Sequence, residues 1–212
     1  MKGLRADTFF THEEKERIKA ATREAESRTI GEIAVMVVES SDRYIEAEII
    51  GGVILGSLFS LIITVLFFHS SLWFYIPFSF VLFFPSFFLF KMVPRLRTAF
   101  IGHTRKTHAV RQRALRAFYE KGLYKTRHNT GVLFFVSELE RKVWVLADKG
   151  IHEKISQEPL NKLARTVSRG IKEGRASAVL CEAIKEAGDL LAEHFPRTPD
   201  DTNELSDTVM SG

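Results

Sequence analysis

The chain predicts a small three-layer α/β/α sandwich, with a sheet of about four strands, interrupted by a two-helix transmembrane hairpin. Three observations lead there. Residues 49–90 contain no Lys, Arg, Asp or Glu and hold eleven of the 18 phenylalanines. Two apolar runs rich in β-branched residues, at 32–38 and 132–136, flank that stretch. Amphipathic helical periodicity accounts for much of the remaining sequence.

The first element is a helix. Thr11-His12-Glu13-Glu14 offers a capping box, in which the Thr11 hydroxyl reaches the Glu14 amide and the Glu14 carboxylate reaches back. Phe10 stands where a staple residue would precede the cap. Ile18, Ala21 and Ala25 recur at three- and four-residue spacing, which carries the helix to about Ser27. Thr29-Ile30-Gly31 breaks it, and Glu32-Ile33-Ala34-Val35-Met36-Val37-Val38 reads as a strand buried on both faces. Glu39-Ser40-Ser41-Asp42-Arg43 is a polar loop.

The charge-free stretch follows. As one helix, residues 49–90 would measure roughly 63 Å, twice the ~30 Å hydrocarbon core of a bilayer. Two spans fit, at about 46–68 and 72–92, with His69-Ser70-Ser71 as the polar turn. Gly52 and Gly56 make a small-residue seam against which the second span can pack. Pro77 and Pro85 lie inside the second span, and Trp73 and Tyr75 fall at its outer end, where interfacial aromatics collect. Neither span interior contains an ionisable residue, so a proton relay or a charged-substrate pathway has nothing to work with.

The flanks set the orientation. Arg43 precedes the first span, and Lys91, Arg95, Arg97, Arg105 and Lys106 follow the second, whereas the turn has no Lys or Arg. The positive-inside rule then places both termini in the cytoplasm, in a bacterial inner membrane. Before residue 49 there is no apolar region of the kind a signal peptide needs. The excess positive charge gathers between Lys91 and Arg116, where anionic membrane lipid is the expected partner. Nucleic acid is not expected, because no aromatic-basic stacking pattern accompanies that charge.

Beyond the membrane, residues 104–121 are helical, with Val110, Ala114, Ala117 and Phe118 as the apolar stripe. Gly122 ends that helix and His128-Asn129-Thr130-Gly131 forms a turn. Val132-Leu133-Phe134-Phe135-Val136 is a second buried strand, and Lys142-Val143-Trp144-Val145-Leu146-Ala147 its hairpin partner. In that partner Val143 and Val145 should face one side, with Trp144 and Leu146 on the other. Leu160, Leu163, Val167 and Ile171 mark one amphipathic helix closed by Gly174; Val179, Leu180, Ile184, Ala187, Leu190 and Leu191 mark another, stopped by Pro196. Cys181 falls on that apolar face and reads as a structural thiol.

Neither side of the hairpin has strands enough for a sheet alone. Residues 1–45 and 94–196 should therefore form one domain, with the hairpin, 46–93, inserted between them. Residues 197–212 have little to bury and read as a disordered tail.

The order of elements and several short motifs resemble the TPM-domain family. Thr29-Ile30-Gly31-Glu32-Ile33-Ala34-Val35 and Asn129-Thr130-Gly131-Val132-Leu133-Phe134-Phe135-Val136 carry the resemblance through the strands. It continues through Glu140-Arg141-Lys142-Val143 and Ala147-Asp148-Lys149-Gly150-Ile151, then Gly170 to Gly174 before Ser177-Ala178, and Leu191 to Pro196. The resemblance implies a central sheet of about four strands with helices on both faces. Its members include acid phosphatases, modules that bind calcium or other divalent metals, and partners in assembling or repairing membrane complexes. This chain departs from the secreted members by carrying the hairpin inside the domain. It also has Asp148-Lys149-Gly150 where many members have Gly-x-Gly.

The residues themselves offer one candidate site. Glu39 and Asp42 lie in the loop after the first strand, and Asp148 ends a strand expected in the same sheet, so the three could collect calcium or magnesium at a sheet edge. The alternative is three solvated loop carboxylates. His103 and His108 are five apart and do not share the face that a zinc pair uses. A nucleophile with positioned cations is not legible, so an interaction or assembly module is favoured over a divalent-metal-dependent phosphatase.

Overall fold

The computed structural model describes residues 6–68, 72–198 and 204–212. The chain divides into two compact units, Met1–Ser41 with Thr107–Gly212, and Asp42–Lys106. The element order is α1 (Ala6–Phe9), α2 (His12–Glu26), β1 (Glu32–Val38), α3 (Ile45–Phe67), α4 (Leu72–Met92), α5 (Pro94–Ala99) and α6 (His103–Glu120). A single 3-10 turn at Leu123–Lys125 precedes β2 (Gly131–Ser137) and β3 (Lys142–Ala147). Helices α7 (Lys149–His152), α8 (Gln157–Lys172) and α9 (Ala176–His194) follow, and β4 (Met210–Ser211) ends the chain.

The first unit is a three-layer α/β/α sandwich around a four-stranded sheet of order β3-β2-β1-β4. β1 and β2 run parallel from Glu32 opposite Gly131 to Val38 opposite Ser137, and β3 returns antiparallel to β2. Side-chain alternation divides the sheet between two cores. Ile33, Val35, Val37, Val132, Phe134, Val136, Val143 and Val145 pack with α2, α8 and α9. Ala34, Met36, Val38, Leu133 and Phe135 face Val110, Ala114, Ala117 and Phe118 of α6, with Trp144 and Leu146 packed against that side. The opposed facing expected within 142–147 is therefore observed.

Local chemistry explains the element ends. Both bonds of the Thr11–Glu14 capping box form, at 2.8 and 3.2 Å. Phe10 is drawn into the core ahead of it. Gly174 closes α8 with φ +77°, a conformation that costs other L-residues a steric clash. The start of β1 is pinned to the end of α9, because the Phe195 carbonyl accepts both the Thr29 hydroxyl at 2.6 Å and the Ile30 amide at 3.1 Å.

The expected tail at 197–212 is corrected at its end. β4 lies parallel to β1, pairing Met210 with Met36 and Ser211 with Val37. Its two-residue length and polar context left no strand signal, and the contact exists only because β1 presents a backbone edge there.

In the second unit, α3 and α4 are long and apolar enough to cross a membrane. They pack through small residues. Gly51, Gly52, Gly56, Ser60 and Thr64 are the buried positions along most of α3, and a Cβ at Gly56 would come within 3.0 Å of the Phe83 backbone. The Ser60 hydroxyl donates to the Tyr75 carbonyl at 2.7 Å. The Gly52–Gly56 seam thus extends by the same four-residue step through Ser60 and Thr64. At the charged end Arg97 pairs with the nearly buried Glu48 at 3.0 Å, and donates to the carbonyls of Phe90 and Lys91. The expected His69-Ser70-Ser71 turn lies outside the described residues.

Candidate functional site

The candidate metal residues do not come together. Glu39 is exposed just beyond the C-terminal end of β1. Asp148 follows β3, and because β3 is antiparallel to β2 its end lies where β1 and β2 begin. Five register steps between Val132 and Ser137, at about 3.3 Å each, put the two carboxylates at opposite ends of the sheet, roughly 17 Å or more apart. Asp42 belongs to the other unit, where Arg105 donates to it at 2.6 Å. Burial alone would raise the Asp42 carboxyl, but the hydrogen bonds from Arg105 and the Arg43 amide outweigh it and hold the group below its usual range. The set does not fit a shared calcium or magnesium ion. Among the described residues, no three His, Cys, Asp or Glu side chains are grouped to hold a metal.

At the C-terminal ends of β1 and β2 a different network forms. Glu140, nearly buried, accepts the Ser41 amide at 3.0 Å and the Ser137 hydroxyl, and the Ser41 and Ser137 hydroxyls lie 2.8 Å apart. Arg141 takes φ 48° in the tight β2–β3 turn, which swings Glu140 back beneath the strand ends. This network ties the loop after β1 to the hairpin, and its carboxylate is filled by protein donors.

The opposite edge, where β1 begins, concentrates the perturbed chemistry. The last turn of α2 supplies Arg23 and Glu26, β1 supplies Glu32, and the chain end supplies Glu204, Leu205 and Asp207. Glu32 is buried and accepts the amides of Glu204 at 3.1 Å and Leu205 at 3.2 Å. Arg23 donates through Nε to the buried Asp207 at 2.6 Å. Glu204 in turn accepts the Arg127 amide at 2.9 Å. Glu26 accepts the Ile33 amide at 2.8 Å, yet burial, reinforced by the nearby charges of Glu32 and Asp207, pushes its carboxyl up to about 8. Glu26 therefore holds a proton at neutral pH beside two carboxylates already engaged by amides and a guanidinium.

On the same edge Asp148 caps α7, accepting the Lys149 amide at 2.7 Å through Oδ1. Its Oδ2 is buried and finds no hydrogen-bond partner among the described residues. A Cβ at Gly150 would meet the His128 and Asn129 carbonyls at 2.6 and 2.8 Å, so this position needs glycine. Cys181 is half-buried at the junction of α2 and α9, and burial raises its thiol. The edge cluster was not legible because Glu26, Glu32 and Asp207 are scattered along the sequence, two of them inside regular elements. An isolated Glu at the first position of an apolar strand was the one available signal.

The described geometry can be set beside known proteins. The TPM domain family model matches residues 93–190. Over those residues the chain is similar to a TPM domain. The match starts where α4 ends and takes in α6, β2, β3 and most of α9, while β1 completes the sheet from the other side of the hairpin. The solved structure of the BA42 protein from the psychrophilic bacterium Bizionia argentinensis has a similar fold, with a TM-score of 0.61 and 22% identity. That similarity covers 96% of each chain. No curated protein matches the chain.

Proposed function

We propose that this chain is an integral protein of the bacterial inner membrane, with both termini and its TPM domain in the cytoplasm, acting as an interaction or assembly module. One observation carries the reading. Helix α3 turns glycine, serine and threonine toward α4, which meets them with Phe83, Phe87 and Phe90, and the pair leaves Leu66, Phe67, Leu72, Trp73 and Phe80 at 70–88% exposure. Water does not sustain so large a continuous apolar surface, whereas lipid does. Lys91, Arg95 and Lys106 then lie at the headgroup level, where anionic lipid is the favoured neighbour. Two experiments test this. The protein should resist alkaline extraction from membranes, and a reporter fused after residue 196 should be active only in the cytoplasm. Extraction into the soluble fraction, or an active reporter on the far side, overturns the reading.

A second reading is phosphatase activity, and the observation favouring it is the sheet edge where β1 begins. There Glu26 keeps a proton at neutral pH, as a general acid must, and Asp148 has an uncommitted buried oxygen. Turnover of a generic phosphate ester that disappears in both Glu26→Gln and Asp148→Asn would establish it. Equal rates in the parent and both variants would dismiss it. Calcium or magnesium dependence belongs to the same assay, with no binding residues assigned.

A further inference from the structure

Helices α2 and α9 pack side by side and leave between them an open cavity of about 470 Å³, a size usual for small-ligand sites. Arg17, Ala20 and Ala21 line it from α2, and Ser177, Ala178 and Cys181 from α9. One end of the cavity is the start of α9. Arg175 stands at the N-cap there, but its side chain makes no capping hydrogen bond. The amides of Ala176, Ser177 and Ala178 therefore have no carbonyl partner within the helix. The aligned peptide dipoles add partial positive charge at the same point.

Uncapped helix starts are common where water serves them, and a second feature sets this one apart. Ser177 is only 8% exposed and lines the cavity, yet its hydroxyl makes no hydrogen bond among the described residues. A buried hydroxyl left unpaired is costly, and the cavity is the space from which a partner can come.

The charges around the cavity select the partner. Arg17, Arg175 and Lys185 reach it against Glu14 and Glu24, which leaves one net positive charge. Glu14 is already turned to the Thr11 amide. The cations pair with Glu13, Glu173 and Glu24 respectively, all on the exposed surface, where such pairs are weak and exchange partners readily. Burial raises the Cys181 thiol, and the charges of Lys185 and Arg17 act against it, so both cations stand around the cavity floor. The rest of the wall is apolar, from Ala20, Ala21 and Ala178.

We propose that this cavity binds a small monocarboxylic acid with a compact apolar body. The carboxylate accepts from the Ser177 hydroxyl, the free amides of α9 and the Arg17 guanidinium, and the body rests on Ala20, Ala21 and Cys181. A single net positive charge matches one carboxylate and leaves a phosphate dianion overcharged. The alanine wall gives a bare inorganic anion nothing in return for its lost hydration. The site depends on neither the membrane placement nor the phosphatase reading.

Cys181 is the chain's only cysteine, so its alkylation reports on the cavity directly. Full-length protein in a non-ionic detergent is treated with iodoacetamide across a benzoate titration at constant ionic strength. Benzoate should slow the reaction saturably and severalfold. Benzyl alcohol, the ring without the charge, and inorganic phosphate, the charge without the ring, should leave the rate unchanged at equal concentration. Ser177→Ala should raise the half-effective benzoate concentration about tenfold, as loss of one hydrogen bond to a charged group predicts. Arg17→Gln changes an exposed side chain outside the core and should raise it likewise. An alkylation rate indifferent to benzoate overturns the proposal, as does equal protection by benzyl alcohol or by phosphate. A half-effective concentration unmoved in both variants overturns it too, because the carboxylate would then be held elsewhere.

Discussion

In the sheet domain the large side chains point inward: Phe134, Phe135, Ile33 and Leu180 are inaccessible to solvent. Along α3 the arrangement is reversed, with Gly52, Gly56, Ser60 and Thr64 inside and Leu66 and Phe67 outside, while α4 sets Phe90 against Gly51 and leaves Phe80 outside. Both units are well packed, so packing alone does not choose which residues go in. On the proposed membrane reading, the surrounding medium does. Water drives apolar area into the sheet core, at about 25 cal/mol per Å². If α3 and α4 span a membrane as proposed, that drive is absent between them, and close backbone approach with an occasional hydrogen bond replaces it.

The largest test of this contrast lies in the sheet. Phe134→Ala should destabilise the domain by about 3–5 kcal/mol, because it empties the centre of the core between β2 and the α8–α9 layer. Thermal or urea unfolding in detergent reads it; a loss below about 1 kcal/mol would mean the core is not organised as described. The hairpin should respond in the opposite sense. Gly56→Leu, aimed at the Phe83 backbone, should cost about 1–3 kcal/mol by forcing α3 and α4 apart, whereas Phe80→Ala should change little, within about 0.5 kcal/mol. Resistance of the hairpin to unfolding in mixed micelles checks the pair. A larger loss from Phe80→Ala than from Gly56→Leu would show that the outer face is a protein interface.

The next effect is a pH dependence confined to the sheet domain. Glu26 has its carboxyl raised to about 8 in the fold, against 4.5 as the ordinary value. Between these values the folded chain binds a proton that the unfolded chain has released. This group's contribution is therefore complete below about 4.5 and is lost as pH rises through about 8, at up to about 1.4 kcal/mol per unit. Stability measured from pH 5 to 9 should fall, and Glu26→Gln should flatten the fall while Asp207 keeps its bond to Arg23. An unchanged slope in Glu26→Gln would place the responsible group elsewhere.

The two ends of the sheet show how far a linear reading carries. A carboxylate after one strand and another after a second were expected at one edge, although the second closes the returning strand of a hairpin. The sharp β2–β3 turn, with Arg141 at positive φ, reverses the third strand and sends Asp148 to the far end. Chemistry then collects at the other end, from Glu26, Glu32 and Asp207. The four-step seam was half visible, since Gly52 and Gly56 announce themselves as small, while Ser60 and Thr64 join it only once their burial is seen.

By itself the sequence determined where the long helices and three of the four strands lie, how α2 is capped, which stretch is suited to lipid, and that strands from both sides of that stretch share a domain. These follow from periodicity, side-chain branching and charge, which act over a few residues and are written locally. Only the tertiary structure decided that β1 runs parallel to β2, the capture of Met210 and Ser211 by β1, and the gathering of Asp207 with Glu26 and Glu32. Those depend on contacts between residues up to about 180 apart in the chain, such as Arg23 with Asp207, whose energies exist only after the sheet has formed.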